Sequence, residues 1–212
     1  MDRYLITQSL LSSWLYTFNC ADSAAEDARA EFLDALNRVP KETTEAMQNG
    51  IDFERACYQA AAGKPLPRDR KIDKWAPGIT EVSKIIQGAP VQVRLSRELE
   101  LDGMTFLVYG ILDALKAGVI YDVKFLNKSM GGSENGPYLP GKYLESPQHP
   151  AYFYLVPEAI EFRYLVSDGT DLYIETYRRE DTPFIGDIIR EFIASITSMG
   201  LLDIYRGKWL AK

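Results

Sequence analysis

Residues 104–125 read MTFLVYGILDALKAGVIYDVKF, and the architecture turns on them. Two apolar runs rich in β-branched and aromatic residues, Met104 to Lys116 and Val119 to Phe125, flank Ala117-Gly118. A strand, a turn and a second strand are expected. Upstream, Val91, Val93, Leu95, Leu99 and Leu101 alternate with polar residues as far as Asp102-Gly103, which reads as a hairpin turn. Period two thus governs 91–125, whereas residues 1–90 carry mainly helical spacing.

Acids stand where these strands end. Asp113 closes Gly110-Ile111-Leu112-Asp113, and Asp122-Val123-Lys124 follows nine residues later. Residues two apart on a strand share a face and neighbouring strands lie about 4.8 Å apart, so Asp122 and Lys124 point the same way with Asp113 nearby. Mg²⁺ and Mn²⁺ take hard oxygen ligands and are commonly held by one or two carboxylates plus substrate phosphate, a role that suits Asp113 and Asp122. A lysine beside such a metal can orient or help deprotonate an attacking water and offset charge on pentavalent phosphorus, a role that suits Lys124. The competing reading is a set of solvated turn residues forming surface pairs worth about 0–1 kcal/mol.

The rest of the chain reads as helices and strands around this segment. Thr7 to Phe18 and Ser23 to Arg38 are predicted helices, and Glu42 to Ala62 extends that layer. In Asn49 to Ala62 the apolar positions Ile51, Phe53, Ala56, Cys57, Ala60 and Ala61 repeat at helical spacing, with Glu54 near the start. Gly63 and Pro65 end the helix. Arg68, Arg70, Lys71 and Lys74 then form a basic run, readable as a solvated linker or as phosphate contacts, before a short helix from Thr80 to Gln87. After the third strand, Asn127 to Pro147 is a long Gly- and Pro-containing loop of the kind that is functional or disordered. It lacks any phosphate-cradling glycine motif. Its Tyr138 and Tyr143 are readable as base-stacking groups or as neutral surface residues, and Lys128 and Lys142 join Lys124 in bracketing the acids. Gln148 to Val156 is a predicted helix with Gln148 and Tyr152, four apart, on one face. Strands from Ala159 to Ser167 and Leu172 to Tyr177 and an amphipathic helix from Pro183 to Met199 complete the map. His149 is readable as a general acid or a surface histidine, and Glu98 as an additional acid or a solvent-facing charge.

This ordered set resembles the PD-(D/E)XK nuclease superfamily, specifically its RecB-like exonuclease branch, and the resemblance spans most of the chain. Gly50 and Glu54 match the branch's helical G-x-x-x-(H/E) motif, and Gly110 and Asp113 match G-x-x-D. Asp122 and Lys124 match (D/E)-x-K, and Gln148 and Tyr152 match Q-x-x-x-Y. Ser9 to Cys20 looks like the family's opening S-x-S-x-L-x-x-(F/W)-x-x-C segment. The resemblance implies an α+β fold with a restriction-endonuclease-like core, a central mixed sheet flanked by helices and an N-terminal helical layer. It implies one domain over 1–212, with 1–90 mainly helical and 91–212 carrying the catalytic sheet. Glu54, Asp113, Asp122 and the Val123 carbonyl would hold Mg²⁺ or Mn²⁺, Lys124 would assist the water, and Gln148 and Tyr152 would contact substrate or a metal-bound water.

The departures from that family are informative. Many RecB-like members place histidine where Glu54 stands, so an all-oxygen site selective for hard cations is expected. Relatives with an iron–sulfur cluster need four cysteines. Cys20 and Cys57 are the two cysteines present, so no such cluster is expected, and both read as small buried hydrophobes.

Composition bounds the partners. The 212 residues are 46% hydrophobic and 12% aromatic, enough for a sizeable core. Two cysteines argue against a disulfide framework, and neither a signal peptide nor a membrane span is recognisable, so a cytoplasmic protein is expected. The net charge of −6 excludes a global basic footprint and implies few phosphate contacts with a shallow salt dependence. The expected function is a metal-dependent DNA exonuclease or deoxyribonuclease acting on single strands or duplex ends, with a homo-oligomer or a recombination-protein partner compatible with it. The alternative is a non-catalytic nucleic-acid-binding or recombination or phage assembly module that keeps the fold.

Overall fold

The computed structural model describes residues 2–130 and 140–211. In chain order these form β1 (Arg3–Thr7), α1 (Gln8–Asn19), α2 (Ala25–Leu36), α3 (Glu45–Ala61), α4 (Arg70–Ile86), β2 (Val91–Leu101), β3 (Met104–Lys116) and β4 (Val119–Phe125). After the loop come α5 (Gln148–Leu155), β5 (Glu161–Ser167), β6 (Leu172–Arg178), α6 (Ile185–Ser198) and α7 (Leu202–Lys208). The fold is α+β, as expected: a mixed sheet in the order β1-β3-β4-β5-β6, with β2 also paired to β3. The Asp102-Gly103 and Ala117-Gly118 turns each place both residues at positive φ, the backbone twist that suits tight hairpins.

Helices cover both faces of the sheet. On one, Ile6, Phe106, Val108, Leu112, Ile120 and Phe162 pack against Leu10, Trp14, Phe153, Phe192 and Tyr205 from α1, α5, α6 and α7. On the other, Ala114, Tyr121, Val123 and Leu165 pack against Phe53, Cys57, Ile79 and Val82 from α3 and α4. Among the described residues no helix is long and apolar enough to cross a membrane.

Four features depart from the sequence reading. Arg3–Thr7 is a strand, parallel to β3 from Arg3↔Thr105 to Thr7↔Tyr109. The basic run is not a linker: Arg70, Lys71 and Lys74 lie in α4, which Asp69 caps by accepting from Lys71 N–H. Pro77 lies inside α4, although proline lacks the N–H that an interior helical position donates. Burial of Ile72, Ile79, Val82 and Ile86 sustains the helix past it, and the next amide, Gly78, donates instead to Gly169 O at 2.8 Å. A side chain on Gly78 would fall 2.4 Å from Ser167 Oγ, so the glycine permits this close seating. α7 adds a short helix, and Ile51, expected on the apolar face of α3, is 46% exposed.

Candidate active site

β3 gives one edge to β2 along almost its whole length. Its other edge is shared, with β1 pairing at 105–109 and β4 pairing at 114–116. Between them Gly110 to Asp113 faces neither strand, and β1 and β4 part there like the prongs of a fork. Side chains take up the exposed backbone groups. Tyr152 Oη donates to Ile111 O at 2.8 Å, and the Asp113 carboxylate accepts from Val123 N–H at 2.8 Å, a contact a strand partner would otherwise supply. Gly110 permits the close approach of Tyr152, since a Cβ there would lie 2.5 Å from the Tyr152 ring.

The fork opens into a cavity of about 330 Å³ whose walls include Glu54, Asp113, Asp122, Val123, Lys124, Gln148 and Tyr152. All the residues singled out from the motifs as ligands or catalytic groups thus meet in one place. They come from α3, β3, β4 and α5. Thr7, Gln8 and Ser9, the cap and first turn of α1, complete the wall and were not anticipated. The alternation along β4 works as expected. Val123 sends its side chain into the α3–α4 core, while Asp122 and Lys124 point to the α5 side, where Lys124 Nζ lies 2.7 Å from Asp122 Oδ2 and Gln148 Nε2 donates to Asp122 Oδ1 at 2.5 Å.

Electrostatics in the cavity are unbalanced, with three carboxylates facing one lysine. Burial, then the charges of Asp122 and Glu54, push Asp113 well above the ordinary carboxylate range. Burial also raises Glu54, partly offset by the Tyr58 hydroxyl that donates to it at 2.7 Å. For Lys124 burial works against the charge, but the Asp122 and Asp113 carboxylates outweigh it and keep the ammonium protonated. Burial and the Asp122 charge lift Tyr152 to about 12, so its hydroxyl stays a donor.

Two residues that the sequence did not single out complete the carboxylate network. Gln92 Nε2 lies 3.0 Å from Glu54 Oε1, 3.0 Å from Tyr58 Oη and 3.3 Å from Asp113 Oδ1. Tyr58, one turn after Glu54, had a findable signal in its i+4 spacing. Gln92 had none, because the φ that turns it inward is invisible in the sequence.

Other singled-out residues lie elsewhere. His149 is neither a surface residue nor in the cavity wall: it is 1% exposed and stacks on Tyr177 with centroids 4.3 Å apart. Tyr143 stacks inward on Tyr164 at 4.2 Å, which removes it as an outward platform for bases, and Lys142 lies over the Tyr143 ring. Tyr138 falls outside the described residues. Lys128 lines a separate cavity beside Asn49, Trp75 and Phe125. Glu98 forms an exposed ion pair with Arg3 at 2.8 Å. Cys57 is buried and Cys20 half-buried.

A hard divalent cation fits the chemistry of this donor set. Asp122 Oδ2 is buried without a well-directed hydrogen bond, the lysine being close but off the bonding direction. Every donor in reach is oxygen, and the excess negative charge is of the kind a bound cation neutralises. Among the described residues, no three His, Cys, Asp or Glu side chains converge on one point as they stand. Each carboxylate is instead turned to a protein donor: Glu54 to Tyr58, Asp113 to Val123 N–H, Asp122 to Gln148.

Similarity to known proteins reaches the fold. No family model and no curated protein matches the sequence. Among solved structures, the crystal structure of SSO0001 superposes with a TM-score of 0.51 over 94% of this chain and 77% of that one, at 13% identity. At that identity the likeness is one of fold alone.

Proposed function

We propose that this chain is a metal-dependent deoxyribonuclease of the RecB-like PD-(D/E)XK type, hydrolysing phosphodiester bonds at single-stranded or duplex DNA ends. The observation that carries the reading is that Glu54, Asp113, Asp122 and Lys124 line a single cavity in the sheet fork. Glu54, Asp113, Asp122 and the Val123 carbonyl would hold Mg²⁺ or Mn²⁺, which when bound supplies Lewis acidity and a more acidic water. The Asp122 and Asp113 carboxylates favour the ammonium form of Lys124 over the lowering effect of its burial. The lysine's role is to orient the nucleophile and to offset charge growing on the phosphate. Gln148 holds Asp122, and Tyr152 holds the free carbonyl of Ile111, so both act by fixing the fork. The first turn of α1 brings the amide-rich end of a helix to the same cavity, a setting that favours phosphate.

The test is cleavage of end-labelled single- and double-stranded DNA with Mg²⁺, Mn²⁺ or chelator, beside Lys124→Ala and Asp113→Asn. Metal-dependent cleavage lost in both folded variants supports the reading. No cleavage by the wild type under any metal condition replaces it with the non-catalytic binding or assembly module.

A further inference from the structure

Gln92 occupies a backbone conformation that glutamine rarely adopts, at φ 54° in the left-handed region. It stands opposite Asp113. The β2–β3 ladder runs Val91↔Ala114, then resumes at Val93↔Leu112, so Gln92 and Asp113 are the pair it skips. Side-chain direction also reverses there. Leu112 packs on the α1–α5 side and Ala114 on the α3–α4 side, although residues two apart on a strand ordinarily share a face. The backbone distortion therefore sits at the candidate ligand, and it swings the Gln92 amide to where it meets Glu54, Tyr58 and Asp113 together.

Glycine or asparagine would adopt this φ with less strain, so the turn by itself gives no reason for glutamine. The amide supplies the reason. Two N–H groups are spread over three oxygens, two of them on carboxylates from different elements, α3 and β3. A neutral donor shared between the two carboxylates reaches both without competing with a cation for charge. It also ties the helix to the sheet at the place where their oxygens must be spaced for one ion.

We infer that Gln92 is a positioning residue, whose side-chain amide fixes Glu54 and Asp113 relative to each other for a shared divalent cation. This deepens the nuclease reading above and rests on it. The role parallels that of outer hydrogen-bond partners in metal sites generally, whose loss typically weakens metal affinity or activity about 10–100-fold.

The experiment measures Mn²⁺ affinity by electron paramagnetic resonance of the free ion, together with metal-free melting, for wild type, Gln92→Gly and Gln92→Met. Glycine accepts the left-handed φ but removes the amide; methionine keeps the length and the strain but cannot donate. The expected result is at least tenfold weaker Mn²⁺ binding in both, with the melting temperature of Gln92→Gly equal to or above wild type. Wild-type affinity in either variant would overturn the inference, as would failure of both variants to fold, which would make the residue structural. Absence of Mn²⁺ binding by the wild type would instead bring down the nuclease reading, and this inference with it.

Discussion

Acid should destabilise this protein partly through one side chain, His149. Burial lowers its pKa from 6.5 to about 4, with Glu175 opposing the shift. Its surroundings are the Tyr177 ring and the Tyr164 hydroxyl, the latter 3.4 Å from Nδ1. Because the folded value lies below the unfolded one, the unfolded chain takes up the proton first. The stabilising contribution is complete above pH 6.5 and is lost as pH falls towards 4. For a single group with these two values, the loss between pH 7.5 and 4.5 comes to about 2.5 kcal/mol. The raised carboxyls of Asp113 and Glu54 act in the opposite sense, gaining stability as pH falls, so the whole-protein curve mixes the two. Subtracting His149→Phe isolates the histidine. Phenylalanine keeps a ring on Tyr177 and cannot titrate, and its packing cost appears equally at both pH values. With a urea slope of about 2 kcal/mol per M, the gap between the two unfolding midpoints should move by about 1 M in favour of the variant on acidification. Parallel pH curves for the two proteins would refute the claim that the folded ring is neutral.

Further perturbations test the packing, capping and charge arguments separately. Gly110→Ala should cost about 1–3 kcal/mol in chemical denaturation, because its Cβ meets the Tyr152 ring. Gly50→Ala, in α3 with nothing within 4 Å, should stabilise by about 0.5–1 kcal/mol; equal effects at the two glycines would disprove the packing argument. Arg179 donates to the carbonyls of Phe153, Val156 and Ala159 at 2.6–2.7 Å and so closes the end of α5. Its replacement by alanine should lower stability by about 2–3 kcal/mol, and lysine, lacking the planar fork, should rescue little in the same denaturation assay. Mg²⁺ affinity measured by calorimetry should be higher at pH 8 than at pH 6, because Glu54 and Asp113 hold protons more tightly than ordinary carboxyls and must release them to bind. Affinity independent of pH would show that binding releases no proton from either carboxyl over this range.

Sequence pattern located the hairpin strands well, because period two and the turn dipeptides are local signals. Met104–Lys116 and Val119–Phe125 fall where the pattern put them. The gathering of Glu54, Asp113, Asp122, Lys124, Gln148 and Tyr152 in one cavity followed from motif order rather than from any local rule. What escaped notice depended on distant partners. β1 is too short to advertise itself and exists because β3 offers an edge. α4 runs through Pro77 because its apolar face is buried on the sheet and Gly169 accepts the Gly78 amide. His149 looked like a surface residue because polarity was read without the aromatic cage that Tyr164 and Tyr177 build around it. Gln92 looked like ordinary strand.

The hydrogen bond from Val123 N–H to Asp113 also makes the site observable. A ligand that recruits that carboxylate oxygen must share it with the amide or take it away. The same bond joins β4 to β3 just beyond their paired residues, so its opening is a local event distinct from global unfolding. Amide exchange at Val123, and its nitrogen chemical shift, therefore report occupancy of the cavity residue by residue, without substrate and without turnover. A single labelled backbone position would show when the fork is engaged.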